Sequence, residues 1–183
     1  MTSAMGRYIH GLFRRFKRSE DGVSAIEFAI IAPLMIMLYL GSVDLSLAFS
    51  IDRKATSAAS ALADLVAQDD VITDSEINDI LAAGQAIIAP FPSRRMTVRI
   101  TSLLADGDGD VEVQWSDADG RAPLPERSTV DVPDGVLAPN TSVIMVEVEY
   151  LHRPLFSQLG VSEFNINETF YLRPRRSIVV ARS

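Results

Sequence analysis

The hydrophobic pattern of the chain begins with a long apolar segment. Residues 28–43 are sixteen consecutive uncharged, mostly apolar residues. A helix that is apolar on every side is typical of a membrane span or a fully buried helix. With its apolar flanks the segment covers residues 23–49, about 40 Å at 1.5 Å per residue, which is enough to cross a hydrocarbon core of roughly 30 Å. The pattern therefore predicts a transmembrane helix over residues 23–49.

Three interpretations compete for this segment. A buried helix of a soluble protein is disfavoured, because a helix at a globular surface shows only an apolar stripe. A cleaved secretory signal would have its cleavage site at Ser46–Ala48, but its apolar region would then contain Pro33 and border Asp44. In a single-pass anchor, the excess of Lys and Arg before the span places the N-terminus in the cytoplasm and residues 50–183 on the other side.

After the span the apolar positions recur at three- and four-residue spacing, which predicts that the helix continues to about Gln68. Its apolar stripe comprises Ile51, Ala55, Ala58, Ala59, Leu62, Leu65 and Val66. A second helix is predicted over residues 76–88, because Asp74 or Ser75 can cap its N-terminus and two prolines follow its end.

From Arg95 onward the apolar positions alternate, which predicts half-buried strands. Three strands are predicted at residues 96–101, 111–115 and 143–150, and one or two more at residues 171–172 and 177–181. Residues 106–110 would form a hairpin connection, and residues 116–140, rich in Pro and Gly, a long loop across the sheet. Two helices followed by a run of strands predict an α+β fold with an antiparallel sheet of about four strands.

Composition removes several classes of function. Among its 183 residues the sequence has no Cys and only two His, so it offers no disulfide, thiol nucleophile or Cys-ligated zinc site. The two histidines, His10 and His152, are the ones available for acid–base or metal chemistry, and His152 lies beside Arg153 with no Ser or acid at the spacing of a catalytic triad. We therefore expect no enzyme, cofactor or metal centre, with an enzyme kept as the formal alternative.

Charge divides the chain into a basic head and an acidic body. Residues 1–22 carry +3 (five Arg or Lys and two acids), so residues 23–183 carry −10 of the total −7. An acidic body argues against nucleic acid as a partner, because phosphates are bound mainly by Lys and Arg. The short basic cluster Arg173–Arg176 is either a solvated strand flank or a contact to the acidic body of another subunit.

The Asp-Gly run at residues 106–110 raises the question of calcium. Asp106, Asp108 and Asp110 take positions one, three and five of an EF-hand-like loop. Position six, however, is Val111 instead of the required Gly, and position twelve is Asp117 instead of Glu. We expect a plain Asp-Gly turn, with a calcium site of another type as the alternative.

The junction between the basic head and the span carries the most specific motif of the chain. Gly22 is followed by four small or apolar residues that begin with Val23, then by Glu27, Phe28 and the apolar run. This arrangement resembles the processing site of type IV prepilins. The longer string from Gly22 to Ser46 is similar to the TadE-like family of minor pilins, or pseudopilins, of the tight-adherence pilus, and the likeness covers roughly residues 12–68.

The resemblance implies three parts of the chain. Residues 1–22 would be a basic cytoplasmic leader that a prepilin peptidase removes after Gly22, where the missing Cβ leaves room for an extended backbone. Residues 23–49 would be the transmembrane helix, and residues 50–183 a periplasmic α+β domain of a single-pass inner-membrane protein. Glu27 would neutralise the new amine, on Val23, of a neighbouring subunit.

The implied function is assembly of a tight-adherence type IV pilus, as a minor pilin. Major pilins of this pilus are little more than a leader and one helix, whereas this chain adds a domain. The implied partners are the membrane, the small major pilin, a companion pseudopilin, the prepilin peptidase, and the platform proteins with their ATPase. A place in the filament, at its tip or in the membrane stays open. The alternative is an uncleaved single-pass protein with a periplasmic scaffold or sensor domain.

Overall fold

The computed structural model of the protein describes residues 20–155, 157 and 160–183. The chain divides into two compact units between Ser46 and Leu47. Residues 1–19, most of the predicted leader, lie outside the described part of the chain.

The first unit contains the N-terminal part of a 48-residue helix, α1 (Glu20–Ala67), which includes Pro33. Its large apolar side chains are exposed; Phe28 and Tyr39, for example, keep 72% and 68% of their surface accessible. The helix is long and apolar enough to cross a membrane, and none of its most apolar stretch is buried within the protein. Such exposure differs from that of a soluble core helix and is compatible with a single-pass membrane protein.

The second unit is α+β, as predicted. It contains residues 47–67 of α1, a second helix and a short 3-10 helix at Ser93–Arg95. The remaining elements are β1 (Val71–Ile72), α2 (Asp74–Ile87), β2 (Met96–Ala105), β3 (Val111–Asp119), β4 (Ser142–His152), β5 (Phe164–Leu172) and β6 (Ala181–Arg182). Strands β3-β2-β4-β5, in that order, form an antiparallel four-stranded sheet, which confirms the predicted fold class. Strands β1 and β6 form a separate parallel pair.

The main core lies between the helices and one face of the sheet. Apolar residues of α1 and α2 join alternate residues of β2 and β4, such as Ile100 and Val146, in one buried cluster. The predicted stripe on α1 is buried except for Leu65, which is 40% exposed; Ala63 and Ala67 are buried in addition. The reason is geometric: at about 100° per residue, Leu65 falls at the border of the buried face.

A smaller core lies on the opposite face of the sheet. Leu103 faces this side by the ordinary alternation of β2. A register irregularity leaves Gln114 of β3 unpaired between the partners of Ser102 and Leu103, and it turns Val113 to the same face. The connection after β3 covers them with apolar side chains, from Leu124, Val130, Val132, Val136 and Leu137. The predicted loop across the sheet is present, although it begins after Asp119 because β3 is longer than predicted.

Two local predictions were wrong. Helix α2 begins at Asp74 and its cap is Thr73, not Asp74 or Ser75: the Thr73 hydroxyl accepts the Glu76 N–H at 3.3 Å. The Glu76 carboxylate in turn accepts the Thr73 N–H at 2.8 Å, so the two residues form a capping box. The strand predicted at residues 177–181 is reduced to Ala181–Arg182, since only these residues pair, with β1.

Candidate processing and assembly segment

The four residues of the prepilin-like motif all lie near the start of α1. Gly22 is the third residue of this helix, and Val23, Glu27 and Phe28 follow in its first turns. The side chains of the latter three are exposed. The predicted recognition sequence is therefore a continuous helical surface rather than a loop.

Val23 and Glu27 are four residues apart, so they lie on the same face of α1, one turn from each other. Side chains on a helix point toward its N-terminus, which directs the carboxylate of Glu27 toward the backbone of Val23. Within the described residues Glu27 has no ion pair, and its side chain is exposed. The carboxylate is therefore accessible to a cation supplied from outside the described residues.

The Asp-Gly run forms a turn. One carboxylate oxygen of Asp106 accepts the backbone N–H groups of Asp108 and Asp110, both at 2.9 Å. This is an Asx-type turn, in which the carboxylate replaces a backbone acceptor. No cluster of three His, Asp or Glu side chains with metal-binding geometry is found in residues 20–155, 157 and 160–183. The geometry agrees with the turn interpretation.

The basic cluster after β5 is partly used within the chain. The backbone N–H of Arg175 donates to the carbonyl of Ala67 at 2.9 Å, and its guanidinium forms an ion pair with Asp64. Arg175 therefore closes the C-terminal end of α1, a role that no local sequence pattern indicates. Arg173 and Arg176 are exposed.

His152, the candidate for the enzyme alternative, is buried at the end of β4 with 3% of its surface exposed. Its ring packs against Phe164 of β5, with the ring centroids 5.1 Å apart. The position is typical of a histidine that contributes to packing rather than to a reaction centre.

Sequence reasoning missed the role of Arg182. Its guanidinium bonds to Asp117 of β3 at 2.8 Å and to Asp74 at the start of α2 at 2.6 Å, and it also donates to the carbonyl of Ile72. Hydrogen bonding to Asp117 raises the pKa of Arg182 above its usual value. These partners are more than 60 residues away in the chain, so no local pattern indicates them. The network stabilises the fold around the small parallel sheet.

The fold and the motif together define a class of protein: an α+β domain preceded by one long apolar helix that is compatible with a single membrane crossing. A protein-family model described as TadE-like protein matches residues 22–64. This segment of the chain is therefore similar to a TadE-like protein. The match starts at Gly22, contains every motif residue and ends within α1, before the sheet. No curated protein and no solved structure matches the chain.

Proposed function

We propose that this protein is a minor pilin, or pseudopilin, that takes part in assembling a tight-adherence type IV pilus after a prepilin peptidase removes its leader. One observation carries the proposal: the TadE-like match begins at Gly22, where the Gly-Val junction, the Glu-Phe pair and the exposed apolar helix meet. In this proposal residues 1–22 are the leader, 23–49 the transmembrane helix and 50–183 the periplasmic domain. The anchor is in the inner membrane with its N-terminus in the cytoplasm.

Glu27 provides the assembly contact in this proposal. An ionised carboxylate at the bilayer centre costs about 2.5–3.5 kcal/mol on insertion scales, and less near the interface. Cleavage after Gly22 creates an α-amino group with a pKa of roughly 7.7–8.0, which is largely cationic at neutral pH. Pairing Glu27 with the Val23 amine of a neighbouring subunit would offset the cost of both charges, and it would require the cleavage to come first.

The folded domain supports a minor role. Residues 47–183 form a complete α+β unit with its own core. A bulky domain on every subunit would crowd a filament built from small single-helix pilins, but a few copies can prime assembly or sit at a tip. The proposed partners are the small major pilin, a companion pseudopilin, the prepilin peptidase, and the platform proteins with their ATPase.

Intact-mass measurement of the membrane fraction tests the proposal, in cells that contain the prepilin peptidase. We expect the chain to begin at Val23. Gly22→Val should block the cut, because a branched side chain then occupies the position before the cleaved bond. Gly41→Val is the matched control: beyond its chain neighbours and the backbone of its own helix, no heavy atom lies within 4 Å of a Cβ placed there, and processing should stay normal.

Other N-termini would contradict the proposal. A chain that keeps Met1 beside an active peptidase indicates a permanent anchor with a scaffold or sensor domain. A start near Phe49 indicates a secreted protein.

Quantitative mass spectrometry of sheared pili tests the minor role separately. We expect this protein to be absent or strongly substoichiometric to the small pilin, while its deletion reduces or abolishes pili. Equal amounts of the two proteins would refute the minor role but leave the cleavage prediction intact.

A further inference from the structure

The end of the folded domain at which α1 enters is fixed by three contacts. The Lys54 ammonium donates to the carbonyl of Ile87, at the end of α2, at 3.0 Å. A few residues later the ring of Phe91 packs against that of Tyr150, with the ring centroids 6.4 Å apart. Tyr150 lies near the end of β4 and pairs with Met96, the first residue of β2. The start of α1 in this unit therefore lies beside the end of β4 and the start of β2.

The last residue of α1 lies at the opposite end of the sheet. The carbonyl of Ala67 accepts the backbone N–H of Arg175, which follows β5. Because β5 is antiparallel to β4, this point is near the start of β4. The connection from β4 to β5, in contrast, starts after His152 and ends before Phe164, and these two residues pair with each other. This connection is thus at the same end of the sheet as the start of α1, which we call the anchor-side end.

Exposed apolar side chains are concentrated at the anchor-side end. Among the described residues of the range 47–183, eight large apolar side chains are exposed, and five of them lie at this end. They are Leu47 and Phe49 of α1, Leu155 (56% exposed) and Val161 (49%) between β4 and β5, and Phe164 (47%) at the start of β5. Clustered exposed apolar side chains usually mark a surface that binds a protein or a membrane.

The anchor-side end is also basic, in a domain whose net charge is negative. Residues 47–183 contain 12 Lys or Arg and 20 Asp or Glu. Four cations near this end form no ion pair with another described residue: Arg53, Lys54, Arg94 and Arg95. Asp52 precedes the first two in sequence, and Arg153 is paired with Glu163 at 2.9 Å. The opposite end, after β2, carries the Asp-Gly turn at residues 106–110.

The position of the membrane anchor identifies what this surface contacts. In the function proposed above, the transmembrane helix ends at residue 49, five residues or about 7.5 Å along α1 from Lys54. We propose, resting on that anchor, that the anchor-side end binds the surface of the same bilayer. Leu155, Val161 and Phe164 insert among the lipid headgroups, and the four cations bind the phosphates of anionic lipids.

A small surface is sufficient for this contact. Binding at a membrane surface combines buried apolar area with attraction between basic side chains and anionic lipids, and the anchor-side end offers both. Because the anchor already holds the domain at the bilayer, the second contact is intramolecular and needs little affinity of its own. The contact would hold the domain in one orientation and leave its opposite, acidic end accessible to partners.

A fluorescent probe on a single Cys tests the lipid contact in the full chain, since the sequence has no Cys of its own. The labelled chain is placed in vesicles of phosphatidylcholine and phosphatidylglycerol, some of which carry a nitroxide near the headgroup. The nitroxide quenches fluorophores that contact it, so a probe at Val161→Cys should lose most of its fluorescence. Ile178→Cys is the matched control. Ile178 is also apolar and is 76% exposed, but its carbonyl accepts the hydroxyl of Ser142 at the start of β4, so its probe should keep its fluorescence.

Charge reversal tests the contribution of the cations. Arg53→Glu combined with Arg94→Glu should reduce the quenching at residue 161, and so should vesicles of phosphatidylcholine alone. Arg173→Glu combined with Arg176→Glu is the matched control, because it makes the same change in charge after β5, at the opposite end. This pair should leave the quenching unchanged. All four arginines are exposed, so neither pair of substitutions should disturb the fold.

A probe at Leu38→Cys separates this proposal from the anchor on which it rests. A nitroxide deep in the acyl chains should quench this probe if residues 23–49 span the bilayer. Quenching at residue 38 but not at residue 161 would overturn the proposal, leave the anchor intact and assign the apolar surface to a protein partner.

Three other results would also count against the membrane contact. Equal quenching at residues 161 and 178 would overturn it, because lipid contact would then not be specific to the anchor-side end. Quenching at residue 161 that is unchanged by charge reversal would refute the role of the cations. Absence of quenching at residue 38 would refute the anchor and the membrane contact together. The predicted cleavage after Gly22 is measured separately, by intact mass.

Discussion

Helix α1 contains two regions of similar length and opposite surroundings. Up to Ser46 its large apolar side chains are exposed, with Phe28 and Tyr39 mostly accessible. From Ile51 onward one face is buried against the sheet and consists mainly of small alanines. Both regions satisfy the same helical hydrogen bonding, so the difference lies in what covers the apolar surface. For the second region the cover is in this chain; for the first region it is lipid or another subunit, in the function proposed here.

Substitution of Glu27 should have the largest functional effect and no effect on the domain. We expect Glu27→Leu to leave cleavage and insertion intact but to impair incorporation into the pilus machinery, because leucine cannot neutralise a neighbouring amine. Glu27→Gln keeps hydrogen bonding and loses charge, so its level of assembly should fall between those of the unsubstituted protein and Glu27→Leu. Pilus counts and co-purification with the small pilin measure the effect. Normal assembly of Glu27→Leu would reduce Glu27 to an interfacial charge.

One substitution made in both regions of α1 measures their difference directly. Leu62 is fully buried and Leu38 is 60% exposed. Leu62→Ala should destabilise the domain by about 2–5 kcal/mol, through lost burial and a cavity, whereas Leu38→Ala should leave domain stability unchanged. Denaturant unfolding in detergent, followed by the fluorescence of Trp115, the only tryptophan, measures the domain stability of both variants. Equal effects would contradict the division of the helix.

A smaller loss of domain stability is expected from substitution of Trp115, whose indole N–H donates to the carbonyl of Val180 at 2.7 Å. Trp115→Phe leaves this carbonyl without its donor and should cost about 1–3 kcal/mol, measured by circular dichroism. Tyr39→Phe in the exposed region is the control: it removes one hydroxyl from a side chain outside the core and should change nothing.

The smallest effect is expected at the cap of α2. Thr73→Ala should cost about 1 kcal/mol, because the cap hydroxyl no longer accepts the Glu76 N–H. The backbone N–H of Thr73, followed by its hydroxyl, lowers the pKa of Glu76 from its usual 4.5. A lowered folded-state pKa adds stability above pH 4.5, and this contribution is lost as the pH falls through the folded value.

Comparison of Glu76→Gln with the unsubstituted protein measures this pH dependence. The variant should be less stable at neutral pH and should lose less stability on acidification below pH 4.5. If the two proteins lost the same amount of stability on acidification, the contribution of Glu76 to the pH dependence would be refuted.

Periodicity predicted the elements whose pattern is regular and missed the others. Strand β4 alternates buried and half-buried residues over Val146–Leu151, and its prediction is confirmed. Strand β5 begins at Phe164, well before the predicted residues 171–172. The prediction missed its first part because Asn165, Asn167 and Glu168 obscure the alternation. Strands β1 and β6 have two residues each, too few for any period, and they are 110 residues apart.

Prediction from the chemistry of neighbouring residues is limited in a similar way. Three successive residues, Thr73, Asp74 and Ser75, are all good caps. Thr73 is selected because Glu76 lies three residues after it and completes the box. The motif at Gly22 was recognisable because all its residues are contiguous, whereas Arg175 and Arg182 act on partners more than 60 residues away. The closure of α1 by Arg175 and the network around Arg182 are visible only in the three-dimensional structure.

The pairing of β1 with β6 has a consequence for the time course of folding. Strand β1 can form only when Val71 pairs with Ala181, so this contact closes a loop of about 110 residues. Contacts this distant in sequence slow folding, since chain entropy is lost before they are made. During synthesis, the alanine-rich face of α1 would be complete long before the segments that cover it, and exposed apolar surface in such intermediates favours aggregation. A chaperone that shields residues 51–67 during this interval would therefore raise the yield of the folded domain without changing its final stability.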